Sequence, residues 1–274
     1  MTAVTIKETD TYTLSGSLYE NTAADKSDVL GTIIYLHGGG LVFGEKTDLP
    51  SEYLEVLRRR FNVLAADYRL APESDIDDIF TDLHDIYHFA AGLKHENIYI
   101  MGRSAGAYLS LIAARDFNIT GVIDFYGYFN FTHTDFSYLP HDQKHLSHLL
   151  TDALAANNIR DYITVNEAAD PRYLLYLYYR HKGSWRDVLG IDTEYNADKY
   201  RLTKSDLAAL PSIFIVHAKN DPDVPAFFSR KIAKTAPVSQ FIEVDTAVHN
   251  FDQTVSEENV EIYKRAVQFM ADHT

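Results

Sequence analysis

The chain has 274 residues, a hydrophobic share of 46% and a formal net charge of -14, enough to bury the core of one large α/β domain with an insertion. So acidic a chain with no segregated basic patch would be repelled by nucleic acid and by anionic membrane surfaces, so neither is expected as a partner. It has no cysteine, which excludes disulfides, thiolate metal sites and a cysteine nucleophile. The N-terminus lacks the basic start and apolar stretch of a secretory signal and no apolar run reaches membrane-spanning length, so cytoplasmic residence is expected.

Thr5 to Lys7 and Tyr12 to Tyr19 read as two short strands, antiparallel at one sheet edge. Gly31 to Leu36 is a nearly continuous apolar strand, as when helices cover both faces of a sheet. It runs into His37-Gly38-Gly39-Gly40 and then Gly44. Consecutive glycines destabilise regular structure, and close backbone approach to a ligand is a physical reason for them. Pro50 opens a helical pattern to Arg59, followed by a strand from Asn62 to Ala66 and the loop Asp67 to Glu73. Asp75 to Lys94 has helical apolar spacing, with a cap near Ser74.

Next, the apolar run Asn97 to Met101 meets Gly102-Arg103-Ser104-Ala105-Gly106. A short strand, a sharp turn and a helix ending near Asp116 are predicted, with Ser104 exposed at the turn between two glycines that permit close packing. Gly121 to Tyr126 is a further strand. From Gly127 to Ser205 the alternation breaks into helical patterns rich in Tyr and His, too long for a plain loop, and an inserted helical cap is the simplest account. Its aromatics, Tyr173 to Tyr179 and Trp185, either line an apolar pocket or pack the cap on the body. Alternation resumes with strand Ser212 to His217, helix Ala226 to Lys234, strand Gln240 to Val244 and a terminal helix Glu257 to Ala271. The expected fold is α/β, a mostly parallel sheet flanked by helices. Residues 1–126 and 206–274 would form the core and 127–205 the cap.

A serine hydroxyl needs an imidazole to take its proton and a carboxylate to hold the imidazole's tautomer. Ser104, Asp221 and His249 each follow a strand, at the sheet edge where carboxyl ends open together. Their chain order, Ser then Asp then His, is that of the α/β-hydrolase arrangement. Asp223 competes with Asp221. Asp221 comes first after the strand and is fixed by Pro222. Backbone amides of Gly39, Gly40 and Ala105 are the available donors for an oxyanion, and His37 is expected to brace the glycine loop.

These motifs, with Tyr68-Arg69-Leu70-Ala71-Pro72-Glu73, resemble the α/β-hydrolase superfamily, and most nearly its hormone-sensitive-lipase-like carboxylesterases. The resemblance implies an α/β-hydrolase fold and hydrolysis of carboxylic esters, usually of short acyl chains, without a cofactor, and a structural part for Glu73. The sequence departs from the family pattern at Arg103, where an acidic residue is usual, and at Asn250, where glycine is usual. The region before the first strand is also too short for the N-terminal helical extension of the family's cap.

Three other readings follow from the residues. Gly38, Gly40 and Gly44 after a strand, with Tyr195 and Lys199, mimic a nucleotide-dependent dehydrogenase, but that site needs a helix to begin in the glycine turn and Pro50 would fall inside it. His141, Asp142, His145 and His148 share a helical face, as metal ligands can, although a solvated helix explains them as well; His84 and His88 read as surface positions. A ligand-binding protein without catalysis, or a peptidase of the same fold, would use the same parts. The expectation is therefore a serine hydrolase acting on a small-molecule ester through Ser104, His249 and Asp221, with no metal or cofactor.

Overall fold

The computed structural model describes residues 1–93, 97–131, 169–191 and 197–273. Eight strands form one sheet: β1 (Thr2–Glu8), β2 (Thr13–Tyr19), β3 (Gly31–Leu36), β4 (Phe61–Ala66), β5 (Ile98–Arg103), β6 (Gly121–Phe125), β7 (Ser212–Ala218) and β8 (Ser239–Val244). The order is β1-β2-β4-β3-β5-β6-β7-β8. β1 pairs antiparallel with β2 and β2 antiparallel with β4, and all other pairs are parallel. The N-terminal hairpin expected at one edge is present, its first strand longer than the alternation suggests.

Every residue of β3, β4, β5 and β6 is buried, so the two faces divide the apolar side chains by their period of two. Ile34, Leu36, Ile100 and Val122 meet α2 (Ile76–Gly92), α3 (Ala105–Asp116) and α7 (Phe227–Thr235) through Ile79, Leu83, Tyr108, Ile112 and Phe228. Ile33, Tyr35, Met101 and Phe125 meet α1 (Ser51–Arg58) and α8 (Glu257–Asp272) through Tyr53, Leu57, Tyr263 and Met270, with the rings of Tyr53 and Tyr263 stacked at 4.1 Å.

The helix start near Ser74 falls one residue later. Asp75 is the N-cap, accepting from the Asp78 N–H, while Asp78 reaches back to the cap, a reciprocal arrangement that satisfies two otherwise orphaned amides. Between β6 and β7 lie α4 (Ala169–Lys182), α5 (Trp185–Val188) and α6 (Lys204–Ala208). Leu175, Leu177, Trp185 and Leu189 belong to the same apolar cluster as Leu36 and Tyr108. The described part of this stretch is thus packed onto the sheet's helical layer.

Candidate active site

Five loops leave the carboxyl ends of parallel strands at one rim, and their side chains surround a cavity of about 410 Å³. At its base, Ser104 follows β5 with φ 52° and ψ −116°, a backbone region that costs a non-glycine residue strain and is held only by dense surroundings. Those surroundings are specific. A Cβ on Gly102 would lie 2.1 Å from the Gly106 backbone, and one on Gly106 would lie 2.1 Å from the Leu36 carbonyl oxygen. Ser104 precedes α3 yet its side chain makes no cap hydrogen bond. The hydroxyl turns to the cavity and donates to His249 Nε2 at 2.9 Å.

His249 stands in the loop after β8 and donates from Nδ1 to Asp221 Oδ2 at 2.7 Å. Asp221 Oδ1 accepts the Asp223 and Val224 N–H groups at 2.8 and 2.9 Å. A second imidazole approaches from β7: His217 Nε2 lies 3.2 Å from Asp221 Oδ2 and 2.9 Å from the Val224 carbonyl. Both of those partners only accept, which assigns the ring proton to Nε2 and leaves Nδ1 to accept from Ser229 Oγ at 2.7 Å. Burial favours the neutral Asp221 carboxyl, but the charge and hydrogen bonds of His249 and His217 outweigh it and hold its pKa well below the usual range. For His249, burial favours the neutral ring, and the Asp221 carboxylate overrides it, so the imidazole pKa is raised.

Asp223 is committed elsewhere. It accepts from Tyr176 Oη at 3.1 Å and Arg180 Nη1 at 2.6 Å, both from α4. Of the two carboxylates that compete by position, Asp221 is therefore the one against the imidazole.

The glycine loop passes beside the serine. A Cβ on Gly38 would sit 3.4 Å from Ser104 Cβ. Gly39 and Gly40 have φ of 107° and 60°, and a Cβ there would strike the Phe43 carbonyl at 1.9 Å or the Tyr176 ring at 2.3 Å. Only glycine fits such a backbone against such neighbours. The loop's carbonyls are occupied. Val42 and Phe43 donate to Gly39 O at 3.0 Å, Trp185 Nε1 donates to Gly40 O at 2.8 Å, and Tyr68 Oη donates to His37 O at 2.8 Å. His37 braces the turn by stacking on Tyr68 at 4.2 Å and by an Nδ1 bond to Gly38 O at 2.7 Å. Ala105, as first residue of α3, has its N–H outside the intrahelical ladder.

The family model of the alpha/beta hydrolase fold matches residues 33–253, most of the chain and every loop of this rim. The chain belongs to the α/β-hydrolase family. Within it the chain is carboxylesterase-like. It is 25% identical over 279 residues to the protein named probable carboxylesterase M8 of Phoma sp., covering 89% of this chain and 85% of that one. An Acinetobacter venetianus esterase is 31% identical over 156 residues, covering 51% of this chain and 49% of its own. A Staphylococcus aureus protein of unknown function matches in structure with a TM-score of 0.93 and 30% identity, over 100% of this chain and 99% of that one.

The dehydrogenase reading fails on the hydrolase's own geometry: the glycine turn leads into no helix before Ser51. Among the described residues no three His, Asp or Glu side chains gather as a metal site requires, and no helix is long and apolar enough to cross a membrane. His141, Asp142, His145, His148 and Tyr195 lie outside the described residues. His84 and His88 are neighbours on the α2 surface, their Nε2 atoms 3.0 Å apart.

Sequence reasoning names Glu73 and the cap aromatics but misses what they bind. Glu73 is held in a bidentate pair by Arg172 of α4 at 2.7 and 2.9 Å, and Arg172 also donates to the Val42 and Ala71 carbonyls. The cap aromatics divide: Tyr173 and Tyr176 line the cavity, while Trp185 is buried behind the glycine loop. Strand-to-loop counting finds none of these links, because each joins residues far apart in sequence.

Proposed function

We propose that this α/β hydrolase cleaves carboxylic esters through an acyl-enzyme on Ser104. The observation that carries the reading is the unbroken series Ser104 Oγ, His249 Nε2, His249 Nδ1, Asp221 Oδ2, at 2.9 and 2.7 Å. His249 takes the hydroxyl proton as Ser104 Oγ attacks the acyl carbon, and Asp221 stabilises the imidazolium. The N–H groups of Gly39, Gly40 and Ala105 receive the oxyanion. The C–O bond then breaks, the imidazolium protonates the leaving alkoxide, and water repeats the cycle in reverse to free the acid.

A cavity of about 410 Å³ walled by Phe43, Tyr173 and Tyr176 suits short acyl or aryl esters, since pockets of this size hold small ligands. On this reading the described part of residues 127–205 serves as a cap on the core, with α4 supplying the aromatic wall. The similarity to a carboxylesterase and an esterase supports ester over amide substrates.

The test pairs the protein with Ser104→Ala. Both are exposed to a fluorophosphonate probe, to nitrophenyl esters from acetate to laurate, and to an aminoacyl nitroanilide. Labelling and fastest turnover of the short esters are expected from the parent alone. An unlabelled parent would mean ligand binding without catalysis, and an anilide cleaved faster than every ester would make the enzyme a peptidase.

A further inference from the structure

Arg103 stands immediately before Ser104, and Asp252 lies in the one-turn helix Phe251–Gln253 just after His249. Arg103 Nη2 donates to Asp252 Oδ1 at 2.8 Å, with side-chain exposures of 3% and 0%. We propose that Arg103 is a positioning residue that latches the His249 loop onto the nucleophile turn through Asp252. The inference rests on the ester-hydrolase reading above.

Two features separate a latch from a substrate contact. Although Arg103 borders the cavity, its guanidinium is fully subscribed. Nε donates to Tyr126 Oη at 2.8 Å, Nη1 to Asp48 O and Oδ2 at 3.3 Å each, and Nη2 to Asp252 Oδ1 and to Gln253 Oε1 at 2.8 and 3.3 Å. Those acceptors match the five N–H donors a guanidinium has, leaving none for a ligand. Both Asp252 oxygens are engaged as well, Oδ1 also receiving Tyr126 Oη at 2.6 Å and Oδ2 receiving Tyr263 Oη at 2.7 Å.

The loop needs an anchor. Asp245, Ala247, Val248 and Asn250 around His249 are exposed, and little regular structure holds them between β8 and α8. The Tyr126 ring, fixed by its hydroxyl in this network, meets the His249 ring edge-on at 4.8 Å. A buried ion pair seldom stabilises more than apolar side chains of equal size would. What it adds here is direction, because it ties the nucleophile's own turn to the base's own loop.

Arg103→Gln, Asp252→Asn and the double variant form the test, with Tyr126→Phe as a milder break that keeps the ring. Each single change is expected to lower kcat about a hundredfold, the cost of a misplaced base, with KM little changed. The double variant should be no worse than the poorer single, because the two residues act as one device. A low-field proton resonance for His249 Nδ1–H is expected in the parent from its 2.7 Å bond to Asp221, and it should be lost or broadened in Asp252→Asn. Losses that multiply in the double variant, or folded singles with parental kcat and resonance, would overturn the latch. A raised KM at parental kcat would instead make Arg103 a substrate contact, which also overturns it. If Asp252→Asn does not fold, Tyr126→Phe decides by the same readings. If the parent itself is not labelled by a fluorophosphonate, the ester-hydrolase reading fails and the resonance alone judges the latch.

Discussion

Trp185 donates its indole N–H to the Gly40 carbonyl at 2.8 Å across a separation of 145 residues. That bond fixes the plane of the Gly40–Leu41 peptide, and with it the turn that carries the proposed oxyanion donors. Trp185→Phe keeps a ring in the cluster but leaves a buried carbonyl unpaired, at a cost of about 1–3 kcal/mol. Thermal unfolding should show that loss, and kcat for a short ester should fall about tenfold with KM nearly constant, since the donors rather than the pocket walls are displaced.

The two neighbouring carboxylates should separate cleanly. Asp221→Asn would present the wrong partner to His249 Nδ1 and lower kcat by about 10³–10⁴. Asp223→Asn leaves the Arg180 charge buried with a weaker acceptor, so its main effect is lost stability of about 3 kcal/mol, with kcat within about tenfold of the parent. Steady-state kinetics and denaturant unfolding of the two variants check this.

The pH profile of kcat/KM follows from the direction of the His249 shift. Only the neutral imidazole can accept the serine proton. Burial disfavours the charged ring, yet the Asp221 carboxylate favours it more strongly, so the net shift is upward. Activity should therefore fall as pH drops through a midpoint above about 6.5, the ordinary imidazole value. An acid limb with its midpoint below that value in the parent would contradict the assigned pairing.

A second buried acid makes a prediction about stability alone. Asp124 accepts the Gly127 N–H at 2.8 Å through Oδ1, while its buried Oδ2 has no hydrogen-bond partner among the described residues. Burial pushes its carboxyl pKa up to about 6. Between about pH 4 and 6 the folded protein then holds a proton that the unfolded chain has released, so this group lowers stability as pH rises. Asp124→Asn should gain stability at pH 7.5, by as much as about 3 kcal/mol, and little at pH 4. Melting temperatures of parent and variant across that range check it.

Much of this architecture is legible in the sequence because the signals are local. The apolar run Gly31 to Leu36, the glycines after it and the turn around Ser104 each state their own geometry, and Pro50 marks the next helix as N-cap. The register of the N-terminal hairpin and the cap at Asp75 rather than Ser74 are finer than a periodicity can resolve. The choice between Asp221 and Asp223 depends on Arg180 and Tyr176, which only the folded chain brings to Asp223. Arg103 reads in sequence only as a departure from a family pattern. Its meaning depends on Asp252, 149 positions away, and no spacing rule connects the two.

The most direct test of the central claim is intact-protein and peptide mass spectrometry after brief reaction with a short-chain nitrophenyl ester, quenched in acid. A single acyl adduct on the peptide holding Ser104 is predicted, formed in a burst with nitrophenol and strongly suppressed in His249→Ala. Ester turnover that persists in Ser104→Ala, or an acyl group trapped on any other residue, would contradict it.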